Sequence, residues 1–117
     1  MNCIHNYPWY TGWYNDFSKK GLVIIGVHTP ETEGEKSIAR VRQQVKEHHI
    51  KYPVAVDGVG KTWRAWDNRY WPSVYLIDKK GYVRGRWEGE LNWNGMDGEK
   101  QMRQAIKKLL AEKGPRR

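Results

Sequence analysis

Cysteine is nearly absent from this chain: Cys3 is the single one among 117 residues. A lone cysteine excludes an internal disulfide framework and an all-cysteine metal site within the chain. Long apolar runs are missing too. The longest, Leu22 to Val27, is strand length and contains Gly26, far below the roughly 18 residues that cross a bilayer. The first twenty residues have neither a basic opening nor an apolar stretch, so they do not read as a signal peptide and the chain reads as soluble. Aliphatics are scarce: Leu, Ile, Val and Phe number 22. That scarcity, with a net charge of +8, would ordinarily mark a disordered chain. Seven Trp and seven Tyr argue otherwise, because each aromatic can bury about 150–250 Å². The length suits one domain, read as residues 1–113 with a basic tail over 114–117.

Most of the positive charge is local. Lys100, Arg103, Lys107, Lys108, Lys113, Arg116 and Arg117 face only Glu99 and Glu112 over residues 99–117. Such a cluster reads first as a solvated helix face, with a nucleic-acid or acidic-membrane contact as the alternative.

Periodicity and punctuation give the order α–β–α–β–α–β–β–α. A helix is expected from Ile4 to about Lys20, with Trp9, Trp13 and Phe17 on one face and Gly21 as its stop. Gly21 to Val27 is a β-branched run, expected as a strand buried on both faces of a parallel sheet. Thr32 and Glu35 have capping-box spacing and predict a helix over about 33–48. Residues 52–57 read as a short strand and Lys61 to Asn68 as a short helix. Residues 73–78 and 82–88, joined across Lys79-Lys80-Gly81, read as a β-hairpin. Asp97 is expected to cap a last helix whose apolar stripe is Met102, Ala105, Ile106, Leu109 and Leu110.

Three stretches carry a resemblance. Cys3 is followed by Ile4-His5-Asn6-Tyr7-Pro8, which puts a proline five residues after a cysteine that opens a helix. Val27-His28-Thr29-Pro30-Glu31 follows the first strand, and Asn68-Arg69-Tyr70-Trp71-Pro72 leads into Ser73 to Asp78. In this order they resemble the thioredoxin fold, and within it the TlpA/ResA/DipZ-type redoxins of the AhpC/TSA-like group, over about Cys3 to Leu91. The resemblance implies an α/β fold of three layers with a mixed sheet, a cis-proline at Pro72, and thiol–disulfide exchange with protein partners. It also implies a groove for the partner's polypeptide lined by Trp71 and Pro72, and an extracytoplasmic setting. Carried over by position, Cys3 is the second, resolving cysteine of Cys-x-x-Cys. The first would fall one residue before Met1, and the family's central strand would also precede this sequence. The expectation is therefore either a start at an internal Met of a longer protein or a sheet closed by direct pairing of the 22–28 and 73–78 strands or by dimerisation, through sheet edges or Cys3. Any membrane contact would run through a segment outside this sequence, and a cytoplasmic setting would follow if Met1 is the true start.

Each candidate has a plainer reading. Cys3 is either the redox thiol or an inert one, its exposure being unreadable from sequence. Glu31 reads first as a surface-loop glutamate and second as a carboxylate that moves protons near the cysteines. His5, His28, His48 and His49 lack ligand spacing, so no metal and no cofactor are expected. Trp9, Trp13, Trp63, Trp66 and Trp87 fit core and rim packing better than base stacking. Two rival functions stay open: a non-catalytic interaction module using the Pro72 groove, and a basic nucleic-acid-binding domain, whose affinity would fall steeply with salt.

Overall fold

A computed structural model describes residues 5–30 and 37–114. The chain forms two compact units, one from residues 1–22 and 70–117 and the other from 23–69.

In the first unit, α1 spans Tyr7–Phe17. Pro8 in its first turn costs nothing, since an N–H there has no helical acceptor. Trp13 and Phe17, one turn apart, are both buried, each contributing about 1.5–3 kcal/mol of apolar transfer energy. The helix tightens into a 3-10 turn over Ser18–Lys20 and stops at Gly21, whose φ of 109° suits glycine. Strands β3 (Ser73–Ile77) and β4 (Val83–Glu88) form the expected antiparallel hairpin. Its turn is organised by Asp78, whose Oδ1 accepts the N–H groups of Lys80 and Tyr82, both at 2.9 Å. Helix α4 covers Gly98–Ala111 and buries Met102 and Ile106 from the expected stripe. Its far end is tied to the hairpin: Lys79 Nζ donates to the Leu110 and Glu112 carbonyls at 2.9 and 2.8 Å, and Arg84 grips the Glu112 carboxylate through two nitrogens.

The start of α4 differs from expectation. Asp97 makes no capping bond; its carboxylate accepts from the Gln101 amide instead. Asn92 Oδ1 takes the Glu99 N–H at 3.1 Å. Gly98 explains the geometry: a Cβ there would lie 2.2 Å from the Leu91 carbonyl oxygen and 2.6 Å from the Trp87 ring. The helix thus begins wedged against the 89–92 turn, and a residue six positions upstream of Gly98 reaches its first turn.

In the second unit, β1 (Gly26–His28) pairs in parallel with β2 (Val54–Val56), and α2 (Ile38–Glu47) and α3 (Lys61–Ala65) complete it. The expectation of a strand over residues 22–27 buried on both faces is corrected. Only Gly26–His28 pairs, on one side, and Val23 and Ile25 are 76% and 64% exposed. A β-branched run records strand preference; burial depends on what is laid over it. Helix α2 starts at Ile38, where Ser37 Oγ accepts the Arg40 N–H, so the expected start near Glu33 is not its beginning. Thr32 and Glu35 lie outside the described residues.

Parallel and antiparallel pairs both occur, in two separate two-stranded sheets.

Candidate functional site

The Trp71–Pro72 peptide bond is cis, at the entrance to β3. Pro72 is buried and Trp71 half-buried. Proline has no N–H to give a ladder, but its carbonyl accepts from the Gly89 N–H at 2.7 Å, which carries the β3·β4 pairing one step past Glu88. Gly89 manages this with a φ of 88°. Ser73 Oγ donates to the Tyr70 carbonyl at 2.6 Å and closes the turn on the other side.

The same 89–91 turn is held from α1. Asn6, wholly buried, accepts the Leu91 N–H on Oδ1 at 2.9 Å, while its Nδ2 donates to the Gly89 carbonyl at 3.3 Å and to Tyr10 Oη at 3.0 Å. Beside it, His5 Nδ1 pairs with Glu90 Oε1. Leu91 is itself fully buried, so without Asn6 its N–H would be stranded at a cost of about 1–3 kcal/mol. Asn6, Gly89 and Glu90 were not singled out in the sequence, and His5 was considered only as a metal ligand. An asparagine just before Tyr7-Pro8 signals a local helix cap, and nothing in a sequence points to a partner 85 residues away.

The other end of α1 is fixed against α4. Glu99 Oε1 receives Trp13 Nε1 at 3.0 Å and Arg103 Nε at 2.8 Å, and Arg103 Nη1 reaches Asp16 at 2.6 Å. Those bonds, Asp16 first and then Glu99, raise the Arg103 pKa, and its guanidinium also lies over the Phe17 ring at 5.4 Å.

A second polar cluster belongs to the 23–69 unit. Asp57 accepts the N–H groups of Thr62 and Trp63 and the Thr29 hydroxyl. Burial pushes its carboxyl up, but the Trp63 and Thr62 N–H groups, the Thr29 hydroxyl and the Lys61 N–H outweigh that and hold it below its usual value. All four donors point at the start of α3 or back to the loop after β1, which is the work of a helix cap.

Of the sequence-predicted site residues, Trp71 and Pro72 are placed together as described, and Cys3 and Glu31 lie outside the described residues. Among the described residues no group of three or more His, Cys, Asp or Glu converges as a metal ion would require. No helix among them is long and apolar enough to cross a membrane.

Solved structures share this architecture. A putative thiol:disulfide interchange protein DsbE from Chlorobium tepidum superposes with a TM-score of 0.80 over 94% of this chain and 72% of its own, at 20% identity. A thioredoxin-like protein in its oxidised form gives 0.79 over 95% and 70%, at 24% identity. The fold is thioredoxin-like. Within that class the chain belongs to the AhpC/TSA family, whose sequence profile matches residues 1–86. It is 43% identical to the protein DipZ of Mycobacterium tuberculosis (strain CDC 1551 / Oshkosh) over 94 residues, which are 80% of this chain and 14% of that protein. It is 27% identical to the thiol-disulfide oxidoreductase YkuV of Bacillus subtilis (strain 168), covering 85% of this chain and 63% of that protein. The chain thus spans a small part of the one relative and under two thirds of the other.

Proposed function

We propose that this chain is the redoxin domain of a thiol–disulfide exchange protein acting on protein disulfides, with Cys3 in the resolving position. What supports this reading is the spacing in the sequence between Cys3 and Pro8, taken with the start of α1. The helix begins at Tyr7 with Pro8 in its first turn, and Cys3 lies five residues before Pro8 in the sequence, the spacing expected of the family's second cysteine. Residues 1–113 serve as the domain, Trp71 and Pro72 line the groove for the partner's polypeptide, and Glu31 moves protons.

In the full cycle a first thiolate attacks one sulfur of a partner disulfide. A mixed disulfide forms, and the partner's other sulfur leaves as a thiolate that takes up a proton. Cys3, deprotonated, then attacks the sulfur of the first cysteine and expels the partner's second thiol. The partner is reduced by two electrons and the cysteine pair is oxidised. Cys3 is the single thiol of these 117 residues, so this polypeptide by itself stops at one mixed disulfide.

Insulin with dithiothreitol as reductant tests this. The 117-residue chain is expected to give no catalytic turnover with dithiothreitol present, yet, with dithiothreitol left out, to form a one-to-one mixed disulfide, seen by intact mass and lost in Cys3→Ser. Robust turnover overturns the placement of Cys3; absence of any mixed disulfide overturns the exchange function.

A further inference from the structure

We infer that Asn6 is a positioning residue for disulfide exchange, holding the start of α1, and with it the chain leading from Cys3, in register with the Pro72 peptide. The inference rests on the proposed exchange function and goes beyond it, to what sets the geometry of the partner's approach.

Asparagine is among the best helix caps, because its side-chain oxygen can accept the N–H groups of the first turn. Asn6 stands at the capping position of α1 and makes no such bond. Its oxygen goes instead to the Leu91 N–H and its nitrogen to the Gly89 carbonyl, more than 80 residues away in sequence. The helix thereby forgoes a local stabilisation, and the side chain spends both ends of its amide on one turn. That turn is the one whose Gly89 N–H holds the Pro72 carbonyl at 2.7 Å. Two hydrogen bonds in series, Asn6 to Gly89 and Gly89 to Pro72, thus link the helix that follows Cys3 to the proline expected along the partner's polypeptide.

The arrangement is directional and dry. Asn6 and Leu91 are both 0% exposed, so no water can substitute for the amide without opening the structure. An amide is suited to the task, since it offers an acceptor to an N–H and donors to a carbonyl and a hydroxyl from one planar group. An apolar side chain would fill the space and leave the register undefined. Misplacement of reacting groups by a fraction of an ångström to an ångström costs on the order of tenfold to a hundredfold in rate.

The test compares the rate at which Cys3 forms a mixed disulfide with insulin, which must seat a polypeptide, and with dithiodipyridine, a small aryl disulfide that needs no groove. Dividing one rate by the other cancels changes in the thiol itself. In Asn6→Ala the insulin-to-aryl ratio is expected to fall by about tenfold or more, with the variant's circular dichroism unchanged. In Asn6→Asp the ionised carboxylate still accepts from Leu91 but has no hydrogen for Gly89. Its ratio, taken relative to the parent protein at each pH, should be low at neutral pH and recover as the acid is protonated. His5, Glu90 and Tyr10 are the neighbouring titratable groups, and Asn6→Ala measured over the same pH range shows what they contribute without a carboxyl at position 6. If Asn6→Ala does not fold, Asn6→Asp decides alone. A ratio equal to the parent's at every pH, with only the melting temperature lowered, makes Asn6 a structural residue and overturns the inference. Failure of the parent protein to react with insulin at all overturns the exchange function beneath it.

Discussion

Six of the seven large apolar side chains buried among the described residues, Trp13, Phe17, Leu76, Leu91, Met102 and Ile106, belong to the unit of residues 1–22 and 70–117; Tyr52 alone belongs to residues 23–69. The second unit is not poorer in apolar residues, for it holds Val23, Ile25, Val27, Ile38, Val56 and Val59, all exposed. The difference lies in what converges. In the first unit, helices α1 and α4 and the hairpin each bring an apolar face and are fastened by bonds between distant parts of the chain: Asn6 to Leu91, Trp13 to Glu99, Arg84 to Glu112. In the second, a three-residue parallel ladder and the Asp57 cluster do the holding. Stability is therefore expected to be apolar and cooperative in one unit and polar and local in the other.

The largest effect expected from this contrast is at Ile106, 2% exposed at the centre of the α4 stripe. Ile106→Ala should cost about 2–5 kcal/mol, because the surrounding helices cannot collapse fully into the space left behind. Chemical denaturation followed by tryptophan fluorescence measures it. A loss below about 1 kcal/mol would show that this side is no better packed than the other.

A smaller effect, with a distinctive pH dependence, is expected at Asp57. Its carboxyl is held below the ordinary value in the folded protein, so between the folded and unfolded pKa values the unfolded chain binds more protons. The resulting stabilisation is present above the unfolded carboxylate range and is lost as pH falls through the folded pKa. Asp57→Asn should thus lower the melting temperature at neutral pH, and its deficit should shrink below about pH 4. A deficit independent of pH would assign the loss to packing. Asp78 has the same sign, chiefly from the Tyr82 N–H and aided by Arg84, so the acid unfolding of Asp57→Asn should keep part of its slope.

Element types were legible in the sequence wherever the pattern was local. The Trp13–Phe17 face, the Gly21 stop, the hairpin across Lys79-Lys80-Gly81 and the stripe on α4 are all consequences of neighbours in sequence. Caps were read less well: Asp97 was the expected cap of α4, while Asn92 accepts the Glu99 N–H there, and α2 begins on Ser37, which the sequence reading passed over. The cis peptide bond at Pro72 was legible through resemblance. Asn6 was not, because its role consists of bonds to Gly89 and Leu91 that only the closed tertiary structure brings within reach. The burial of residues 22–27 was misread for the complementary reason: a pattern of Val and Ile states what a strand would bury, and not whether anything covers it.

The smallest expected effect is also the sharpest probe of that last point. Ile25 is 64% exposed, and truncating a side chain already in water forfeits little transfer energy, so Ile25→Ala should change stability by no more than about 0.5 kcal/mol. The same substitution in a covered site would cost about 2 kcal/mol or more, and the two outcomes are well separated by denaturant titration. A result near zero leaves the contrast between the units as drawn. A large loss would mean that the Val23–Ile25 face is covered in solution. If that loss grew on dilution, the cover would be a second copy of the chain, since only an intermolecular contact weakens with falling protein concentration.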